Sequence, residues 1–95
     1  MITAIVFVKA DVARIPEVAE EIAALDGVSE VYSVTGQIDL IALVRVRDHD
    51  AVAEVVADRL NKVDGVTSTE THIAFRAYSK HDLDEAFSIG FPDAD

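Results

Sequence analysis

Shifted by 38 positions, the chain lands on itself. Ala4, Val6 and Val8 fall on Ala42, Val44 and Val46, and Val18-Ala19 falls on Val56-Ala57. Asp26-Gly27-Val28-Ser29 falls on Asp64-Gly65-Val66-Thr67. A unit written twice must build its core from two like halves, so this self-match narrows the fold before any single residue is considered. The match breaks between the copies. Gly36-Gln37-Ile38-Asp39 lies there, and Ala74 and Ala77 stand where Gly36 and Asp39 would recur.

Each copy reads as strand, helix, strand. Ile2 to Lys9 alternates and is rich in β-branched residues, which predicts a strand. Val12, Ile15, Val18, Ala19, Ile22 and Leu25 recur at three and four residues, which predicts a helix with one apolar face. Asp11 suits its N-cap, Pro16 fits its first turn, and Asp26-Gly27 ends it. Val28 to Thr35 is a second strand, Gly36 to Ile38 a turn, and Asp39 to Val46 a third strand. Asp48 or Asp50 caps a second helix, with Val52, Val55, Val56, Leu60 and Val63 on its inner side. Asp64-Gly65 ends that helix, and Val66 to Tyr78 forms a long fourth strand. Two right-handed crossovers in the order βαββαβ give an α+β, ferredoxin-like sandwich. Its sheet has four antiparallel strands, with both helices on one face. Residues 1–78 make this domain. Residues 79–95 are an acidic C-terminal arm, with Ser79 or Asp82 capping a helical turn through Phe87 and residues 89–92 extended.

The two sheet faces separate by alternation. The small set Ala4, Val6, Val8, Ala42, Val44 and Val46 is shared by both copies and is expected under the helices. Ile5, Phe7, Ile41 and Leu43 then line the opposite face. A buried side chain of this kind contributes roughly 1.5–3 kcal/mol, and several left exposed together form an adhesive patch. The expectation is a two-fold dimer joined through this face, the alternative being a ligand-filled or solvated face in a monomer.

Composition removes several functions. The formal net charge is −10, from 8 basic and 18 acidic residues, whereas a nucleic-acid surface needs a Lys/Arg stripe. Direct nucleic-acid binding is not expected. The 51% hydrophobic content is high for 95 residues, yet no apolar run approaches the ~18 residues of a membrane span. No membrane partner and no export leader are expected, and the location read from this is cytoplasmic. Cysteine is absent, which excludes disulfides and thiol chemistry.

Catalytic sets are equally scarce. His49, His72 and His81 are scattered, and none forms an i, i+4 pair with a Glu at metal spacing. All four glycines end elements or make turns, so no phosphate loop is present. No metal or cofactor is expected. Tyr32, Ser33 and Thr35 read as ordinary strand surface. Asp39 has two readings. Its carboxylate pins a turn by accepting backbone N–H bonds, or turn amides and the carboxylate together hold a small zwitterion. Thr67, Thr69 and Thr71 form a row on one strand face, either an exposed threonine ladder or a set of donors for a polar ligand.

Val34-Thr35-Gly36-Gln37-Ile38-Asp39, the apolar strand to Val46, the helix ending Asp64-Gly65-Val66 and then Thr69-Glu70-Thr71 resemble the effector-binding domain of the Lrp/AsnC regulators, called RAM. The resemblance covers roughly residues 1 to 78. It implies sheet-to-sheet dimers that assemble further, with amino-acid effectors in clefts between dimers. Carried over by position, it nominates Gly36, Gln37 and Asp39 on the hairpin and Thr71, Ile73 and Ala74 on the fourth strand. Family members usually carry an N-terminal helix-turn-helix domain, and this chain begins at the first strand, so it looks like a stand-alone RAM protein. The family hairpin often has an aromatic before the aspartate, and Ile38 stands there instead. The expected function is a non-catalytic, oligomeric amino-acid sensor acting on transcription, with full-length Lrp/AsnC regulators as partners. The alternatives are a small dimeric ferredoxin-like enzyme with His72 as base, and an assembly module with no ligand.

Overall fold

The computed structural model describes residues 1–80, so the expectations for Asp82, the turn through Phe87 and residues 89–92 lie outside the described residues. Four strands form one sheet in the order β2-β3-β1-β4. They are β1 Ile2–Ala10, β2 Val28–Ser33, β3 Leu40–Val46 and β4 Val66–Ile73. Neighbours are antiparallel throughout. A 3-10 turn, Val12–Arg14, leads into helix α1, Ile15–Ala23. Helix α2, His49–Ala53, continues as a π-helical stretch, Glu54–Arg59, and a 3-10 turn, Leu60–Lys62. This is the ferredoxin-like order read from the sequence. No helix among the described residues is long and apolar enough to cross a membrane.

The repeat explains the uneven second helix. Asp11 and Asp48 cap their helical segments, accepting from Ala13 N at 3.0 Å and Ala51 N at 2.8 Å. Asp48, not Asp50, is therefore the second cap. From cap to terminal glycine the copies run Asp11 to Gly27 and Asp48 to Gly65, so the second is one residue longer. A π turn absorbs one extra residue without unseating either end. Val55 and Val56 lie in that turn and stay buried.

Alternation sorted the faces correctly. Ala4, Val6, Val8, Ala42 and Val44 are buried under the helices with Leu40, Val18, Ile22, Val52, Val55, Val56 and Leu60. Ile5, Phe7, Ile41 and Leu43 are half-buried on the other face. One helix assignment fails: Val12 is 81% exposed. The helix proper starts only at Ile15, so Val12 sits in a tighter turn whose side chains do not follow the 3.6-residue stripe.

The two helix ends fit into each other's helices. Gly27 and Gly65 have φ values of 93° and 103°. A Cβ on Gly27 would lie 2.8 Å from Cγ2 of Val55, and one on Gly65 would lie 2.7 Å from Cγ2 of Val18. Each end is also tied to the sheet, Gly27 O accepting from Arg45 N at 2.9 Å and Gly65 O from Asp11 N at 2.8 Å. Both positions demand glycine, for backbone and for space.

Two strand ends come earlier than expected. β2 stops at Ser33, where Val34 N donates to Asp39 O across the hairpin. β4 stops at Ile73 rather than Tyr78. Among the described residues its only neighbour is β1, and one further bond, Ala74 N to Thr3 O at 2.9 Å, brings the ladder almost to the start of β1. Among the described residues, 75–78 have no strand left to pair with. Phe75 is 99% exposed and Tyr78 80%.

Alanine at Gly27 or Gly65 should cost about 1–3 kcal/mol of overpacking beyond the strain of a left-handed backbone. Gly36, at φ 106° with nothing within 4 Å of its virtual Cβ, should show only the backbone part, about 1 kcal/mol. Urea unfolding of the three alanine variants checks the ranking.

Candidate functional site

The hairpin between β2 and β3 is where the two copies differ most. Its backbone turns through Gly36, which is exposed and has open space on the side a Cβ would occupy. Gln37 is exposed, and Ile38 and Asp39 are half-buried. Asp39 is the anchor. Its backbone N–H donates to Val8 O at 3.0 Å, and its carbonyl accepts from Val34 N at 3.0 Å. Its carboxylate Oδ2 accepts from Ala10 N at 2.9 Å. The turn-pinning reading is therefore met, though the side chain fastens the hairpin to the end of β1 rather than to its own loop. The other oxygen, Oδ1, makes no hydrogen bond among the described residues.

The fourth-strand residues lie elsewhere. Thr71 is opposite Val6, and Ile73 is opposite Ala4. The hairpin, by contrast, leaves the sheet beside Leu40, opposite Val8. From Val8 back to Ala4 is about 13 Å along the strand, and β3 and β4 are separated by two strand spacings, about 10 Å. One chain does not bring Gly36, Gln37 and Asp39 against Thr71, Ile73 and Ala74. The two groups are opposite corners of the sheet, so a site using both needs a second subunit.

The threonine row is mostly committed. Thr67 Oγ1 donates to Lys9 O at 3.0 Å, and Thr69 Oγ1 to Asn61 Oδ1 at 2.7 Å. Thr67 sits where the β1–β4 register shifts. Its repeat equivalent, Ser29, sits at the matching shift between β2 and β3 and donates to Leu43 O at 3.2 Å. Both are bulge residues whose hydroxyls satisfy the backbone that the extra residue disturbs. The repeat alignment of Ser29 with Thr67 held that signal. Thr71, the third of the row, is exposed, and its hydroxyl makes no hydrogen bond among the described residues.

His72 lies on the sheet face without helices. Its Nε2 is 2.8 Å from Glu70 Oε2, and its ring centroid is 5.0 Å from that of Phe7. That places it outside the space between sheet and helices, where the enzyme reading needed it. Across the sheet, Tyr32 Oη donates to Glu30 Oε2 at 2.8 Å. That bond, chiefly, raises the Tyr32 phenol above its ordinary range.

Comparison with known proteins identifies the family. The family described as the Lrp/AsnC ligand binding domain matches residues 3–83. The chain belongs to that family. Among curated relatives, the HTH-type transcriptional regulator YugG of Bacillus subtilis is 41% identical over 66 residues, 70% of this chain and 39% of its own length. The chain thus spans about two-fifths of that regulator. Among solved structures, TTHA0845 of Thermus thermophilus superposes with a TM-score of 0.79 at 46% identity, covering 84% of this chain and all of that one. The regulator NMB0573 of Neisseria meningitidis, solved as a complex with L-Met, shares the fold at a TM-score of 0.74 and 20% identity, over 82% of this chain and 52% of its own.

Removing the Asp39 carboxylate should expose its anchoring role directly. Asp39→Ala leaves Ala10 N–H without its partner and should cost about 1–3 kcal/mol. Asp39→Asn keeps an acceptor and should recover most of that. Thermal unfolding of both variants, followed by circular dichroism, checks the difference.

Proposed function

We propose that this chain is a non-catalytic effector-binding module. It takes an amino acid, or a small zwitterion like one, between subunits of a homo-oligomer and acts as a sensor or co-regulator of transcription. The hairpin carries this reading. An exposed glycine turn with open space above it offers backbone amides, and Asp39 holds that turn rigid while keeping one carboxylate oxygen unengaged. Amides suit the ligand's carboxylate, and Asp39 suits its ammonium.

Thr71, Ile73 and Ala74 form the opposing wall, contributed by a neighbouring subunit. The half-buried apolar set Ile5, Phe7, Ile41 and Leu43 joins two copies face to face, and such dimers associate further to bring hairpin and fourth strand together. The exposed Phe75 and Tyr78 are covered in the same assembly. That a related regulator was solved with L-Met supports an amino acid as the ligand class. The module acts on transcription together with full-length Lrp/AsnC regulators, by mixed assembly.

Calorimetric titration with the twenty amino acids should find at least one that binds to the assembled protein. Asp39→Asn should weaken that binding at least several-fold while the fold and the solution mass stay unchanged. No heat from any amino acid, with an intact oligomer by light scattering, refutes the effector reading and leaves a ligand-free assembly module. Phe7→Asp should give a monomer by the same scattering measurement.

A further inference from the structure

The face without helices is laid out as a grid. Strand register puts Glu30, Leu43, Ile5 and His72 in one row, and Tyr32, Ile41, Phe7 and Glu70 in the next. Four apolar side chains fill the centre. Each rim carries a hydrogen-bonded polar pair, Tyr32 with Glu30 on the β2 side and His72 with Glu70 on the β4 side. The His72 ring also leans on Phe7, so it is attached to the apolar centre. The remaining charged groups on this side lie nearer the ends of the sheet. Lys9 stands on β1 opposite Ser68. Arg45 and Arg76 line a depression of about 510 Å³ beside Met1 and Thr3.

Two sheets stacked face to face with aligned strands have two arrangements about a two-fold axis that lies between them at the centre of the face. With the axis along the strands, each row faces the same row of the second copy and the edges exchange. His72 then meets Glu30 of that copy. With the axis across the strands, the rows exchange and the edges are kept. His72 then meets Glu70 of that copy. In both arrangements the imidazole, already in contact with its own Glu70, gains a second carboxylate.

We propose that His72 makes the association of two copies through this face proton-dependent, tightening it as pH falls through the histidine range. The proposal rests on the face-to-face dimer proposed above. Association strips water from the imidazole and both carboxylates. An imidazolium between them offsets one of their two negative charges, whereas a neutral ring leaves the two carboxylates one counter-charge fewer in a drier setting, where an unpaired charge is costly. The charged ring is favoured in the pair, so the extra affinity is present at acidic pH and lost as pH rises.

Sedimentation velocity over a dilution series at pH 6, 7 and 8, at constant ionic strength, reads the dissociation constant. Where dilution does not separate the copies, the concentration dependence of urea unfolding reads the same difference. For the wild type the constant should rise about tenfold from pH 6 to pH 8. His72→Gln, which keeps an N–H donor but does not titrate, should abolish the slope. Glu70→Gln, a change on the exposed rim, should reduce or abolish it. A wild-type dimer with one constant at all three pH values overturns the proposal and leaves the dimer standing. An unchanged slope in either variant also overturns it. A monomer at every pH overturns both the proposal and the dimer.

Discussion

The fold depends on how closely its two helices approach. Each helical segment ends in a glycine, and the other helix presses a valine methyl into the space where that glycine has no side chain. Val55 fills the gap at Gly27, and Val18 the gap at Gly65. Small residues on the sheet beneath, Ala4, Val6, Ala42 and Val44, let both helices settle at one depth. Close packing of this kind tolerates little change of volume. The reciprocal fit also fixes where β2 and β4 begin, since each strand starts directly after its glycine.

With the helices seated on one side, the other side has no cover among the described residues. Four large apolar side chains stand there, ringed by Glu30, Tyr32, Glu70 and His72. A chain this short buries only a modest part of its unfolded surface. On the reading proposed above, a second copy covers this face and adds core to what one subunit buries. The same geometry governs the candidate site. The hairpin is held at one corner by Asp39, and Thr71 to Ala74 run along another. Only an assembly brings such corners together, so on this reading ligand binding and oligomerisation are coupled.

Much of this was legible in the residues. The repeat, the strand and helix periods and the two Asp-Gly stops gave element order and face assignment, because alternation and amphipathic spacing follow from backbone geometry alone. The hairpin stood out because it broke the repeat. Other features were not legible. Val12 carries the helical spacing but sits in a 3-10 turn. The threonine row looked like one set, yet Thr67 mends a bulge, Thr69 binds Asn61 and Thr71 is exposed. The strand pattern continued to Tyr78, but a strand persists only while a neighbour supplies bonding partners, and β1 had run out.

Residue order alone settled the ferredoxin-like topology and the identity of the two sheet faces, which rest on local periodicity and repetition, and its hairpin and fourth-strand motifs carried the resemblance to the family. Folding in three dimensions settled which groups share a location. It tied Asp39 to Ala10, paired His72 with Glu70 against Phe7, and held the hairpin away from Thr71. Those outcomes depend on strand register and on the neighbour each polar group finds, and residue spacing carries neither.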